Sequence, residues 1–246
     1  MAISFIGSTS GNNINAGSIT LTLPGSMATN DLIVVAYGVG DDDFTQPTLA
    51  MTTAGYTELT SSTLSADGGT GGDGNLAVFY KYHNGTDTNA VTTASGTGTD
   101  SSTAAALMVF RGVATEAQGG PLEIAIQTAT GTSGGDPNPP QVSGFTESTS
   151  WVLVAGAVGN AATITLTAPT NYTTNAVNAV GNDTFDVSLG LAYRSSGIAD
   201  PEDPGVFTDS GAGVAWCAAT MVLKEAPPVT TALKDVIGMG IVPWAR

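Results

Sequence analysis

The residues that could carry out chemistry in this 246-residue chain are few and scattered. A catalytic triad needs a histidine base beside a nucleophile and an orienting carboxylate. The chain holds one histidine, His83, and one cysteine, Cys217. His83 sits in Tyr82-His-Asn-Gly-Thr86, a turn composition that predicts a surface-turn histidine. Cys217 lies in the apolar run Val214–Leu223 and reads as a small buried hydrophobe. Two such residues are too few for a zinc site, which takes three or four His or Cys ligands. The glycines of Gly68–Gly74 lack the Lys-Ser/Thr pair of a phosphate-binding loop. Glu58, Glu116, Glu123, Glu147, Glu202 and Glu225 mostly abut turns, and none has the aromatic setting of a sugar-cleaving carboxylate pair. The expectation is a protein that is not an enzyme.

One constellation could take a metal. Asp41, Asp42 and Asp43 follow an apolar strand, with Asp67 and Asp73 in a nearby glycine-rich loop. Hard oxygen donors on loops are what Ca²⁺ favours. The spacing matches no defined calcium motif, so calcium stands against solvated turn carboxylates. Phe44, just after the aspartates, is the one aromatic placed to touch a glycan. Trp151 and Trp216 fall inside apolar strands and are expected in the core.

Composition narrows the class. Acidic residues outnumber basic ones 21 to 6, for a formal net charge of −15. Such a surface repels phosphate and argues against a nucleic-acid partner. Charged residues make up only 11% and hydrophobic ones 41%, so the polar character comes from Gly, Thr, Ser and Asn, which favour strands and turns. One cysteine excludes an internal disulfide framework. The first residues carry no secretory signal pattern, and no apolar run reaches the length of a membrane span. Synthesis in a cytoplasm is the expectation.

Strands are predicted over Ile19–Leu23, Leu32–Val39, Leu76–Tyr82, Ala105–Val113, Leu122–Thr128, Trp151–Val158, Ile164–Thr167, Val187–Tyr193 and Val214–Lys224, each bounded by turn residues. Four of these segments repeat in order. Leu32–Gly40 matches Trp151–Gly159; Gly55-Tyr-Thr57 matches Asn171-Tyr-Thr173. Leu76–Lys81 matches Leu189–Arg194, and Ala106–Arg111 matches Ala219–Lys224. The offset shrinks from 119 to 116 to 113 residues, as loop-length changes require. Half a sandwich cannot bury its own inner face, so the copies should pair around one core. The fold expected is all-β: a single two-sheet, jelly-roll-like sandwich over residues 1–225, with the internal repeat at about 30–113 and 150–225. The alternative is two tandem domains linked at Gly131–Pro140. Lys81 and Arg194, and Arg111 and Lys224, occupy matching strand ends and read as gatekeepers against edge pairing. Val109 and Val222, apolar on the outer side of the repeat-ending strands, should be covered by a second layer or a neighbouring subunit.

The order Asn30–Ala36, Gly55-Tyr-Thr57, Leu76–Lys81 and Ala106–Val113, followed by Pro121-Leu-Glu123, resembles β-sandwich surface domains that recur in tailed-bacteriophage structural proteins and in some bacterial surface proteins. The likeness covers roughly residues 30–225, and its motifs concern packing and turns. The resemblance implies a virion component: a capsid decoration or head-surface protein, or a tail-fibre or baseplate module. A lectin-like domain adhering to a host glycan is the alternative from another class. Residues 226–246 lie beyond the repeat. They carry Leu233, Val236, Ile237, Met239, Ile241, Val242 and Trp244, a dense apolar set after Pro227-Pro228. That segment reads as a C-terminal arm anchoring the body to other virion proteins or to a neighbouring copy. A homo-oligomer, with a trimer as the working guess, completes the expectation.

Overall fold

The computed structural model describes residues 2–14, 17–41, 46–68, 72–95, 101–132, 136–160, 164–174, 177–179, 186–210 and 215–228. They form an all-β sandwich with a single 3-10 turn, Glu116–Gln118, among them. The first half builds one sheet. Its order is β1 (Ser4–Asn13), β9 (Ser102–Arg111), β3 (Leu32–Asp41), β7 (Asp73–Tyr82) and β5 (Thr57–Glu58), with β6 (Leu64–Ala66) also on β7. The second half builds the other in the same order: β10 (Gln127–Gly131), β17 (Ala215–Leu223), β11 (Trp151–Asn160), β15 (Asp186–Arg194) and β13 (Thr173–Thr174), with β14 (Val177–Ala179) on β15. Each copy of the sequence repeat is therefore one antiparallel sheet.

The repeat extends to the turns. Gly55 and Asn171, aligned in the sequence, both adopt left-handed backbone, with φ of 88° and 71°. Glycine reaches that region without strain, and asparagine is among the few other residues that tolerate it. The copies pair around one core by packing face to face. Apart from isolated bridges at the seam, Val113 to Glu225 and Leu122 to Leu223, no strand of one half is laddered to a strand of the other among the described residues.

The inner faces are graded in size. Along β11 the core-facing positions run Trp151, Leu153, Ala155, Ala157, Gly159; along β9 they run Phe110, Met108, Ala106, Ala104, Ser102. In β3 they run Leu32, Val34, Ala36, Gly38, Gly40, and in β17 Leu223, Met221, Ala219, Cys217, Ala215. All four series have their large members at one end of the sandwich, because the registers place Leu32 beside Phe110 and Trp151 beside Leu223. The sheets thus meet as a wedge, wide where the rings lie and narrow where the glycines lie.

Both outer faces are roofed. A three-stranded sheet of β2 (Ile19–Thr22), β8 (Asn89–Ser95) and β4 (Thr48–Met51) packs Ile19, Leu21, Leu49 and Ala90 onto Ile33, Val35, Tyr37, Leu107 and Val109. A ribbon of β12 (Leu166–Thr167) and β16 (Thr208–Asp209), with flanking loops, packs Val142, Ile164, Leu166 and Phe207 onto Val152, Val154, Val158 and Val222. Each fully buried large apolar side chain contributes roughly 1.5–3 kcal/mol relative to exposure. Val109 and Val222 are both fully buried, each under its own half's outer layer. Covering on two faces explains why β3 and β11 read as continuous apolar runs rather than alternating ones.

Several sequence expectations need correction. The tryptophans are only partly buried: Trp151 packs at the core margin, and Trp216 lies on the outer face against Gly131. β1 falls where no strand is predicted, and the second-half strand expected at Leu122–Thr128 is β10, Gln127–Gly131. The basic residues do not guard edges, since Lys81, Arg111 and Arg194 end strands flanked by neighbours on both sides and Lys224 follows one.

Candidate functional site

The wide end of the sandwich gathers most of the chain's cations. Arg111, at the end of β9, grips Asp31 with two parallel bonds, Nε to Oδ1 at 2.9 Å and Nη2 to Oδ2 at 2.8 Å. Asp31 is nearly fully buried and also accepts the Ala28 N–H at 2.7 Å. This bidentate geometry is the strong form of the Arg–carboxylate pair. Lys81, at the end of β7, donates to Asp87 at 2.8 Å and to the Ala54 carbonyl at 3.0 Å, with its ammonium 5.6 Å from the Tyr56 ring centroid. Burial alone would raise the Asp87 carboxyl, but Lys81, the Asn84 N–H and His83 together hold it below the usual value.

The second half repeats the device with different residues. Arg194 Nη1 donates to Glu202 at 2.7 Å, and the Tyr172 hydroxyl donates to the same oxygen at 2.9 Å. Lys224 donates to the Gln118 carbonyl at 3.2 Å. The four matched basic residues are therefore loop clamps. A positive group at each strand end captures the carboxylate or carbonyl of the loop that must turn there.

His83 is also corrected. It is 6% exposed, inside this clamp rather than on the surface, with Nδ1 3.5 Å from Asp87 Oδ2. Its backbone N–H donates to the Asp31 carbonyl at 2.8 Å, tying the β7 exit to the loop before β3. Cys217 is buried as expected. Its thiol donates to the Gly74 carbonyl at 3.0 Å across the sandwich. Burial, and then the charge of Asp73, push that thiol well above its usual range and away from the nucleophilic form.

The glutamates serve structure as well. Glu123 accepts the Thr146 N–H and hydroxyl and the Ser150 hydroxyl. Glu116 accepts the Tyr80 hydroxyl, Glu58 the Thr60 hydroxyl, and Glu147 the Asp200 N–H. Asp41 is fully buried at the end of β3, opposite Asp73 in register. Asp73 accepts the Gly68 N–H at 2.8 Å. Asp42, Asp43 and Phe44 lie outside the described residues. Among the described residues, no three His, Cys, Asp or Glu side chains gather as a metal site.

A pocket of about 350 Å³ opens beside the Arg111 clamp. Its lining includes Ala28, Asp31, Arg111, Val113, Ala226 and Pro227. The Ala226 N–H donates to the Gly112 carbonyl at 2.8 Å, tying the chain after β17 to this end of the sandwich. Leu233, Val236, Ile237, Met239, Ile241, Val242 and Trp244, the expected anchoring residues, lie outside the described residues. Sequence reasoning missed Asp31, Asp87 and Glu202 as clamp partners. The available signal was an acidic residue in a turn next to a strand carrying a terminal cation. No protein-family model matches the chain, and no curated protein matches it. No helix among the described residues is long and apolar enough to cross a membrane.

Proposed function

We propose that this chain is a structural component of a tailed-phage virion, a decoration protein displayed in many copies on the capsid surface and anchored through residues 226–246. One observation carries the reading. Among the described residues, only Ile14 and Val206 are exposed large hydrophobics, whereas eight large apolar side chains follow Pro228 within the last 18 residues. The described part of the body leaves little apolar surface exposed, and the tail sequence carries a dense apolar set. That is the division of labour of a display unit on an arm. The clamped loops and doubly roofed sheets support the same reading, since a particle surface favours a rigid unit with few openings. The acidic surface keeps crowded copies soluble.

The test is deletion of residues 229–246. The shortened chain should melt within a few degrees of the full one and fail to co-sediment with capsid shells that retain the full chain. Normal retention without the tail would overturn the reading. Retention on tail assemblies instead of shells would move the protein to a fibre or baseplate, and tail-independent glycan binding would make it an adhesion domain.

A further inference from the structure

The loop joining β7 to β8 holds the chain's only Asn-Gly pair, Asn84-Gly85. A glycine after an asparagine leaves the side-chain amide open to attack by the glycine's own backbone nitrogen, because no Cβ shields that nitrogen. Here the fold itself requires the glycine. Gly85 has a φ of 92°, and a Cβ on it would lie 2.9 Å from the Thr29 hydroxyl oxygen. Asn84, Gly85 and Thr86 are all exposed, so water reaches the pair.

The hydrogen bonds around this amide are one-sided. Its oxygen, Oδ1, accepts the Thr86 N–H at 2.8 Å, the Thr86 hydroxyl at 2.9 Å and the Asp87 N–H at 3.0 Å. These bonds bend the side chain forward along the chain, over the Gly85 peptide. Among the described residues, the amide nitrogen Nδ2 donates to no acceptor, and neither does the Gly85 N–H. The acceptor is held while the leaving group and the nucleophile are not. Donors converging on one carbonyl oxygen are the arrangement that stabilises negative charge developing there. A nucleophile already tethered close to its target adds the advantage of proximity.

We propose that Asn84 is a site of spontaneous deamidation, in which the Gly85 nitrogen displaces the side-chain amide and the turn's own donors hold the oxyanion. The Gly85 nitrogen gives its proton to solvent and bonds to Cγ, whose carbonyl electrons move onto Oδ1. As they return, the Cγ–Nδ2 bond breaks, and Nδ2 takes a proton from solvent and leaves as ammonia. Water then opens the cyclic imide at either carbonyl, giving aspartate or isoaspartate. Either product places a carboxylate beside Asp87, whose Oδ2 accepts the Asn84 N–H at 3.1 Å and whose Oδ1 binds Lys81. The loop clamp thus acquires a like charge as the protein ages.

This inference does not depend on the virion reading, because the reaction is read on the isolated full-length protein. The folded chain is incubated in mildly alkaline buffer and mapped by peptide mass spectrometry. The mass gain of an amide-to-acid exchange should appear at Asn84 before any other asparagine, with isoaspartate among the products. Its rate should at least equal that of the same chain unfolded in urea, where the turn's donors are dispersed. Thr86→Ala, which removes the hydroxyl donor, should slow the folded chain's reaction roughly two- to tenfold, the worth of one hydrogen bond. Thr86→Ser should restore it, and neither variant should change the rate in urea. An intact Asn84 in the folded chain, earlier reaction at another asparagine, a faster reaction in urea, or equal rates for Thr86→Ala and the unaltered chain would each overturn the proposal. Should Thr86→Ala lower the melting temperature, the comparison of folded with unfolded chain decides.

Discussion

The two ends of the wedge hold the same pair of sheets together by opposite means. At the wide end the contact is aromatic. Trp151 stacks on Tyr193 with ring centroids 5.3 Å apart and an interplanar angle of 7°, and Phe110 meets both edge-on at 6.0 and 5.8 Å. Phe5 stacks on the opposite side of this group, 5.0 Å from Tyr193. At the narrow end the backbones themselves meet. A Cβ on Gly74 would lie 2.6 Å from the Ala215 carbonyl oxygen, and one on Gly40 or Gly159 would strike the backbone of Asp186 or Asp73. Such proximity lets short side chains bridge the sheets: Ser102 Oγ accepts the Val187 N–H at 3.0 Å, and the Cys217 thiol donates to Gly74. The wide end is secured by area, and the narrow end by the absence of side chains and by short polar bridges. One end should therefore be sensitive to loss of volume and the other to gain of it.

Phe110→Ala should have the largest effect. It removes a fully buried ring from the centre of the aromatic group, at a cost of about 3–5 kcal/mol. Denaturant unfolding measures this, and a loss below about 1 kcal/mol would show that the rings are not what holds the wide end. Gly40→Ala adds a single methyl group at the narrow end, where it meets backbone rather than a yielding side chain. A destabilisation of about 1–3 kcal/mol is expected, whereas the same methyl at Gly25, which has open space around it, should cost little. Equal melting temperatures for the two alanine variants would break the comparison.

Alkaline pH separates the ends with the smallest effect, and none near neutrality. Burial, followed by the charge of Asp73, raises the Cys217 thiol above its ordinary 9.0. Burial first, then Glu116 and Tyr80, raises the Tyr82 phenol above 10.0. In both cases the folded pKa exceeds the unfolded one, so the stabilisation is complete below the unfolded value and is lost as pH rises. Stability should begin to fall near pH 9 through the thiol and steepen above pH 10 through the phenols. Tyr37, raised to about 12 by burial under the outer layer, adds to the second phase. Cys217→Ala should abolish the first phase only. Melting temperatures across pH 8–11 check this, and a first phase unchanged in Cys217→Ala would remove the thiol from the account.

Much of this architecture was legible in the chain. The matched segments Leu32–Gly40 and Trp151–Gly159 disclose the repeat, and their alternate residues already descend from Leu or Trp to Gly. Apolar runs with no polar face predict cover on both sides, which the burial of Val109 and Val222 bears out. The strand β1 was not legible, because Ser4–Asn13 is rich in Ser, Gly and Asn and lacks the alternation of a half-buried strand. Its pairing with β9, from Asn13 with Thr103 to Ser4 with Arg111, and not local preference, makes it a strand. The outer ribbon strand β12 falls inside the expected strand Ile164–Thr167, whereas its two-residue partner β16 was beyond any periodicity for the same reason.

The division between sequence and tertiary structure follows from the range of the forces. Apolar periodicity, turn residues and side-chain size act within a strand or a hairpin, so the sequence by itself determined an all-β chain in two copies, graded from large to small. Which residues share a site depends on contacts between segments distant along the chain. Arg111 meets Asp31 across 80 residues, and Cys217 meets Gly74 across 143. No local pattern encodes those meetings, and only the tertiary structure turns His83 from a turn histidine into a buried member of a clamp.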